Sequence, residues 1–306
     1  MKKLAVATLV VGALSLSGCA AFSDQAGPAA PGDRLHVVAA FYPLQYVAQR
    51  VVGDRAHVTN LTRPGGEPHD LEIPPKETAQ IVDADLVLYE KGFQPAVDGA
   101  VDQNAGGRTV DAAQVADLQP PAHGGHDHGT EDHAGLDPHF WQDPLRLAAV
   151  GDAVAAQLAT VAPAHADEYA ANADALRTDL EALDRAYRTG LGGCKRSTVV
   201  VSHDAFGYLA KYGLDMEPIA GLSPGAEPTP ADLVRLQKLI DTDGITTVFS
   251  ERLASPRLSQ SLADDMHVST AVLDPIEGLS DQTSNETYLS LMEQNLAALR
   301  KANRCQ

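Results

Sequence analysis

Basic residues are scarce in this chain. Its 306 residues include 23 Lys and Arg against 41 Asp and Glu, a formal net charge of −18 at pH 7. Residues 1–18 contain two lysines and no acid, so the rest carries 21 basic and 41 acidic residues, a net charge of −20 (21 − 41). A surface of this sign argues against nucleic acid or an anionic membrane face as a partner, because both repel acidic proteins. The acidic balance suits the capture of a cation.

The apolar run near the start of the chain is short. It covers residues 4–16, follows a pair of lysines, and is too short for a membrane-spanning helix, so it predicts a secretory signal. Its Leu-Ser-Gly-Cys end resembles a bacterial lipobox, which implies that Cys19 is acylated and becomes the first mature residue. We therefore expect a lipoprotein signal peptide over 1–18, a flexible tether over 19–33, and a lipid anchor on the outer face of the cell membrane.

Cysteine is also rare. With Cys19 assigned to lipidation, only Cys194 and Cys305 remain. In an exported chain an even pair favours a disulfide, which would join residues 111 positions apart (305 − 194). The alternative, thiolate metal ligands, requires both cysteines near the histidines, whereas Cys305 is next to last in the chain and Cys194 lies in a Gly-Gly-Cys turn.

Histidine, by contrast, is concentrated in one place. Five of the eleven histidines fall within the 17 residues from His123 to His139 (139 − 123 + 1), and short His-rich tracts are typical of metal binding. Four of them lie among Gly, Asp and Glu in a predicted loop over 111–138: His123, His126, His128 and His133. We expect this His-rich loop to be disordered and to bind metal weakly. The alternative is a solvated loop whose histidines are incidental.

Apolar runs alternate with helical periodicity through both halves of the chain. In the first half they predict strands over 36–41, 57–61 and 86–89 and helices over 43–51 and 75–82. In the second half, runs over 198–202, 215–219, 245–249 and 268–273 alternate with helical segments over 206–212, 231–240, 258–263 and 288–300. This alternation predicts an α/β fold with two parallel, helix-flanked sheets. Between the halves, 163–188 has the spacing of a helix about 38 Å long, which is either a packing helix or a strut between two lobes.

Three histidines lie where such a fold places ligands, beyond the carboxyl ends of parallel strands. His69 lies in the segment after the strand over 57–61, His203 directly follows the strand over 198–202, and His139 lies between the two halves. Asp274 and Glu277 follow the strand over 268–273. Three imidazoles and a carboxylate could therefore meet where the lobes face each other.

This donor set has a chemical preference. Neutral imidazoles with one carboxylate suit tetrahedral Zn²⁺, whereas Mn²⁺ favours more oxygen ligands. If the protein fills all four positions, no position is left for a catalytic water, which favours a binding protein over an enzyme. Trp141, the only tryptophan, is two residues from His139, so its fluorescence should respond to metal if the two are neighbours.

At these residues the chain resembles the zinc-specific solute-binding lipoproteins of bacterial ABC importers, which belong to the metal-binding cluster of periplasmic binding proteins. The resemblance spans 35–306 and is carried by the acidic His-rich loop and four motifs: Pro64-Gly-Gly-Glu-Pro-His69, Asp137-Pro-His139-Phe-Trp141, Ser202-His203-Asp-Ala-Phe206-Gly-Tyr208 and Leu273-Asp-Pro-Ile-Glu277-Gly-Leu279. It implies two α/β lobes joined by one long helix, a metal site in the cleft between them, and little closure on binding.

The resemblance also implies site residues. His69, His139 and His203 are the expected histidine ligands, and Glu277 is the expected fourth ligand by its position in the motif. Asp274, Glu67 and water remain alternatives for the fourth position, and Asp274 could instead cap the following turn.

The function implied by the resemblance is extracytoplasmic, high-affinity capture of Zn(II) as a transported ligand. The implied partners are an ABC permease and its ATPase, with no nucleic acid, and the protein is expected to be a monomer. The implied domains are an N-terminal α/β lobe over 34–140, a linking helical segment over 141–190 and a C-terminal α/β lobe over 191–306. A manganese receptor of the same family and a zinc-bound surface adhesin are the alternatives.

The competing class is an extracellular hydrolase, and its motifs are missing or defective. No His-Glu-x-x-His occurs. The one Gly-x-Ser-x-Gly match, at 221–225, places Pro224 after the serine, so the N–H that an oxyanion hole needs is absent. We predict a loop there, and no enzyme.

Overall fold

The computed structural model describes residues 34–121 and 135–306. The predicted signal peptide over 1–18, the tether over 19–33 and Cys19 lie outside the described residues. So do four histidines of the His-rich loop: His123, His126, His128 and His133. What the sequence predicts for them stays a prediction.

The N-terminal lobe is built on a parallel four-stranded sheet with the order β2-β1-β3-β4. Its strands are β1 (Leu35–Ala39), β2 (Ala56–Asn60), β3 (Leu86–Tyr89) and β4 (Thr109–Asp111). Its helices are α1 (Tyr42–Val52), α2 (Pro75–Asp83), α3 (Pro95–Asn104) and α4 (Ala112–Val115). All four residues of β3 are buried, as expected for an apolar strand covered on both faces. The prediction omitted α3, β4 and α4, since α3 contains Gly99 and the other two are only three and four residues long.

The C-terminal lobe repeats this plan with the strand order β6-β5-β7-β8. Its strands are β5 (Thr198–Val201), β6 (Asp215–Pro218), β7 (Thr247–Ser250) and β8 (Ser269–Val272), and all neighbours pair in parallel. Its α-helices are α7 (Pro230–Asp243), α8 (Arg257–Asp265) and α9 (Tyr288–Asn303). The helix predicted over 206–212 is a 3-10 helix, Gly207–Tyr212. The Gly-x-Ser-x-Gly match lies in a turn, where Ala226 N donates to Ser223 O, and is a loop as predicted.

The long helix predicted over 163–188 is present as a 3-10 turn, Pro163–His165, followed by α6 (Ala166–Leu191). Its 26 residues span about 39 Å. Because α6 packs against α1 of the N-terminal lobe and α9 of the C-terminal lobe, it is a strut between them. The sequence did not predict α5 (Pro144–Val161), which packs along α6. Most of its residues are Ala, Val or Leu, and α1, α6, β3 and β4 surround it, so its apolar positions form no single stripe.

A disulfide joins Cys194, before β5, to Cys305, after α9, as the cysteine count predicts. It connects the end of the chain to the beginning of the C-terminal sheet. Over 34–121 and 135–306, the structure contains no helix with the length and apolar character needed to cross a membrane.

Candidate metal centre

The loop between β2 and α2 positions His69. Thr62 fixes the start of this loop, because its N–H and its hydroxyl both donate to Ala40 O, at 3.2 and 2.8 Å. Further along, the Glu67 carboxylate accepts the backbone N–H groups of His69 and Asp70, at 3.0 and 3.2 Å. The His69 side chain is consequently buried with its Nε2 atom toward the other lobe.

His139 is positioned by the acidic residue two places before it. Asp137 Oδ1 accepts the backbone N–H of His139 at 3.0 Å and lies 2.8 Å from the ring Nδ1. A 3-10 helix, Phe140–Gln142, begins directly after the histidine. With Nδ1–H donating to Asp137, the lone pair of Nε2 is available to a metal ion.

His203 follows β5 and is paired in the same way with an acidic residue that follows the neighbouring strand. Its ring Nδ1 lies 3.1 Å from Oε1 and 3.0 Å from Oε2 of Glu251, which directly follows β7. Both side chains are buried. The parallel arrangement of β5 and β7 explains the pairing, because their carboxyl ends meet at one edge of the sheet.

Glu277 completes the cluster from the loop between β8 and α9. Its Oε1 atom lies 3.4 Å from Nε2 of His69, 3.4 Å from Nε2 of His139 and 3.2 Å from Nε2 of His203. The preceding residue, Ile276, has φ +62°, a left-handed conformation that is rare for a β-branched residue and here turns the chain toward the cleft.

The four ligand atoms lie within 4.8 Å of one another, and four of their six separations match a tetrahedral zinc site. Besides the three distances to Glu277, the Nε2 atoms of His69 and His139 are 3.4 Å apart. Zinc bonds of about 2.0–2.1 Å in a tetrahedron separate neighbouring ligand atoms by about 3.3–3.4 Å. The four residues are at most 8% exposed. Among the described residues this is the one group of three or more His, Cys, Asp or Glu whose ligand atoms cluster in this way.

The two acidic alternatives for the fourth position have other partners. Asp274 accepts the Ile276 N–H at 2.8 Å and pairs with Arg252 at 2.9 Å, so it caps the turn. Glu67 uses both carboxylate oxygens on the backbone of the His69 loop. The structure therefore brings together the four residues that the sequence favoured, and neither alternative is among them.

Electrostatics couples the imidazoles to the carboxylates. Burial alone would raise the pKa of Glu277, but hydrogen bonds from His139, His203 and His69 outweigh burial and hold it well below its usual range. Burial would lower the pKa of His203, but Glu251 and Glu277 raise it to about 10. The pKa of His139 is also raised, because Asp137 and Glu277 outweigh the effect of burial.

Aromatic rings cover the N-terminal side of the cluster. Phe93 packs edge-on against His69 with ring centroids 4.7 Å apart, and Trp141 packs against His139 at 5.3 Å. Phe41 contacts both Phe93 and Trp141, at 4.9 and 5.0 Å. Trp141 is thus a neighbour of His139, which is the condition under which its fluorescence should respond to metal.

Two residues of the site were not found from the sequence. Glu251 occupies the same kind of position as His203, directly after a parallel strand, and this is the signal that could have identified it. Phe93 follows β3 by four residues and carries no such signal, because a lone phenylalanine usually belongs to the core.

Comparison with known proteins gives one family match. A family model described as zinc-uptake complex component A periplasmic, ZnuA, matches residues 37–302. The chain is 34% identical over 298 residues to the high-affinity zinc uptake system protein ZnuA of Bacillus subtilis, covering 94% of this chain and 93% of that protein.

It is also 35% identical over 312 residues to the zinc-binding lipoprotein AdcA of Streptococcus pneumoniae serotype 4, covering 98% of this chain but 61% of AdcA. The chain thus spans less than two thirds of that relative's length. The Zn(II)-bound ZnuA-like domain of AdcA superimposes with a TM-score of 0.72 at 33% identity, covering 88% of this chain and 99% of the domain.

A third similar protein is the laminin-binding protein Lmb of Streptococcus agalactiae, described as bifunctional with adhesin and metal-transporting activity. Its structure matches with a TM-score of 0.77 at 27% identity, covering 88% of this chain and 99% of Lmb. These matches agree with the predicted fold of two α/β lobes with a His and Glu cluster between them.

Proposed function

This chain belongs to the family of periplasmic zinc-uptake component A proteins, and from that membership and the geometry of the site we propose that it captures Zn(II) outside the cytoplasm and delivers it to an ABC permease. The ligands in this proposal are His69, His139, His203 and Glu277. The observation that carries it is the spacing of their four ligand atoms, 3.2–3.4 Å for the pairs given above. The family consists of substrate-binding transport proteins, and the chain is not an enzyme.

The donor set supports zinc over manganese as the transported ion. Three nitrogens and one oxygen in a tetrahedron match Zn²⁺, whereas Mn²⁺ favours octahedral sites rich in oxygen. The surrounding rings of Phe93 and Trp141 leave a fifth or sixth ligand little access from the N-terminal side.

The test is a competitive titration of the purified protein with zinc and with manganese against a chelator, followed by Trp141 fluorescence. We expect one tight, chelator-reversible zinc site that is lost in His139→Ala and weakened in Glu277→Ala. His57→Ala, a change of an exposed histidine in β2, serves as the matched control and should bind as the parent does. Several weak sites, unaffected by the first two changes, would contradict the proposal.

The His-rich loop supports a second, weaker class of sites. Its histidines, His123, His126, His128 and His133, lie outside the described residues, so this proposal rests on composition alone. Deleting 122–134 should remove the zinc ions that bind beyond the first one per chain, and it should leave the tight site intact. Loss of the tight site as well would show that the loop is part of it.

Attachment to the membrane is proposed through Cys19, supported by the lipobox and by the name lipoprotein carried by AdcA. Cys19→Ser should abolish incorporation of labelled fatty acid and release the protein from the membrane fraction. Incorporation that persists in this variant would contradict the anchor. Because all four proposed ligands come from one chain, the proposal needs only a monomer.

Adhesion is a second candidate function, favoured by the likeness to Lmb. An adhesin would bind immobilised laminin and keep its zinc permanently bound, whereas an importer's receptor must exchange its zinc. Laminin binding by a zinc-exchanging protein would support both functions, and no laminin binding would leave transport alone.

A further inference from the structure

Glu277 belongs to the C-terminal lobe by chain order, since it follows β8, but its backbone is bound by the other lobe. Trp141 Nε1 and Gln142 Nε2 both donate to the carbonyl of Pro275, at 2.7 and 2.6 Å. Tyr42 N donates to the carbonyl of Glu277 itself at 3.4 Å. In the same series, Gly65 N donates to Leu279 O at 2.6 Å.

These donors bind three alternate carbonyls of the segment 275–279, here called the Glu277 segment. Trp141 packs against Phe41 and Phe93 of the N-terminal core, with ring centroids 5.0 and 5.5 Å apart. Gln142 is buried in the same 3-10 helix. The Glu277 segment is therefore tied to the residues that carry His139 and His69.

The C-terminal lobe binds mainly the residue before this segment. Asn295 of α9 exchanges two hydrogen bonds with the backbone of Asp274, at 2.9 and 2.6 Å, and Arg252 pairs with its carboxylate. The left-handed turn at Ile276 follows. Gly278 lies between the lobes, because a Cβ added there would be 3.1 Å from the Leu253 side chain and 3.5 Å from Gly66 O.

We propose that Trp141 and Gln142 are positioning residues that hold Glu277 to the N-terminal lobe. His69, His139 and Glu277 then move with that lobe, and His203 alone moves with the C-terminal lobe. His203 is therefore the ligand that separates from the metal on release. The inference rests on the proposed function. It follows from the donors Tyr42, Gly65, Trp141 and Gln142, which hold three carbonyls of the Glu277 segment. Tyr288 of α9 donates to the Trp141 carbonyl, and this bond crosses from the group to the C-terminal lobe. His203, paired with Glu251 across β5 and β7, moves with the C-terminal sheet.

Gln142→Met is the sharpest test. Gln142 Oε1 has no hydrogen-bond partner among the described residues, so this change removes the donor to Pro275 O and no second bond of the side chain. Zinc release into excess chromophoric chelator should become about 10-fold faster, a typical effect of removing a group that orients a ligand. The d–d absorption of the Co²⁺-loaded variant should shift as well, because the Glu277 oxygen is displaced.

A double-mutant cycle separates positioning from general destabilisation. In a Glu277→Gln background, Gln142→Met should no longer change zinc release, whereas in a His203→Ala background its effect should persist. Tyr187→Phe, which removes a buried hydrogen bond to Met292 O that involves none of the four ligands, is the control for stability and should leave release unchanged. If Gln142→Met does not fold, Trp141→Phe removes the other donor to the same carbonyl and takes its place.

The outcomes distinguish this inference from the proposed function. If neither Glu277→Gln nor His203→Ala weakens zinc binding, the proposed function fails. If both weaken it but Gln142→Met has no effect, or has the same effect in the Glu277→Gln background, only the division of three ligands to one lobe and one to the other is overturned.

Discussion

Two of the three histidines in the cluster are paired with a carboxylate through Nδ1. Asp137 binds His139 at 2.8 Å and Glu251 binds His203 at 3.0 Å, both buried. Such pairs fix the ring orientation and increase the basicity of the nitrogen that faces the metal. The negative charges of Asp137 and Glu251 therefore contribute to metal affinity, although neither carboxylate is a ligand.

We expect Glu251→Gln to weaken zinc binding about 10-fold, because the amide keeps the shape of the side chain but not its charge. The measurement is a competitive titration against a zinc chelator. Glu217→Gln, which changes a carboxylate of β6 paired with Arg235, is the control and should leave affinity unchanged. Equal affinities in all three proteins would show that the charge of Glu251 plays no part.

Zinc affinity should rise with pH up to about 10. In the metal-free protein the pKa of His203 is raised to about 10, so the ring is protonated through this range, and zinc must displace that proton. Calorimetric titration in buffers of different ionisation enthalpy should detect proton release on binding. Zinc binding without proton release would contradict a protonated His203 in the metal-free protein.

The raised pKa of His203 also stabilises the folded, metal-free protein. This contribution is fully present below pH 6.5, the usual histidine pKa, and is lost as pH rises through about 10.

At the scale of elements, the lobes are joined beside α6 by a charged cluster. Lys211 of the 3-10 helix Gly207–Tyr212 lies 2.5 Å from Asp143, the N-cap of α5, and 2.8 Å from Asp184 of α6. Asp184 also accepts from Arg188 and Tyr212, both at 2.8 Å. One lysine thus connects the C-terminal lobe to both linking helices.

Lys211→Met should lower the free energy of unfolding by about 2 kcal/mol, because it leaves two buried carboxylates without their shared cation. Urea unfolding measures the change, and Lys238→Met, at an exposed position of α7, is the control.

The effect of Lys211→Met should depend on pH. Burial alone would raise the pKa of Asp184, but Lys211, Arg188 and Tyr212 lower it. The difference between the variants should therefore be present at neutral pH and shrink as pH falls below the usual aspartate pKa of about 3.9. A constant difference down to strongly acidic pH would contradict this origin.

The sequence predicted the elements that alternate clearly and missed those that do not. β1, β5 and α6 have strong patterns, and His203 could be placed at the site because it directly follows a parallel strand. α5 is apolar on most sides and β4 is only three residues long, so neither has a period to detect. His139 does not directly follow a strand, and it was identified by its motif. Only tertiary packing brings it beside His69.

The fourth position shows the limit of sequence reasoning. Glu277, Asp274 and Glu67 are all carboxylates near the expected site, and spacing alone does not separate them. Arg252 and the left-handed turn at Ile276 decide between the first two, and both are properties of the folded chain.

At the scale of the whole molecule, the disulfide and the metal centre are predicted to act independently. Cys194 and Cys305 join the two ends of the C-terminal lobe, and Cys194 precedes β5 whereas His203 follows it. Replacing both by serine should lower the free energy of unfolding by about 2–4 kcal/mol, because the unfolded chain gains freedom. Thermal unfolding measures the loss, and zinc affinity at 25 °C should match that of the parent. A parallel loss of affinity would show that the disulfide also shapes the cleft.

The burial of the four ligands also has a consequence for how ions are told apart. The three imidazoles and the carboxylate are each at most 8% exposed. A cation that binds to them must therefore lose its hydration shell. Mg²⁺, which gives up its waters reluctantly and prefers oxygen, is rejected by the cost of dehydration as much as by the donor atoms. Exclusion of water from the site therefore contributes to ion selectivity alongside the donor atoms.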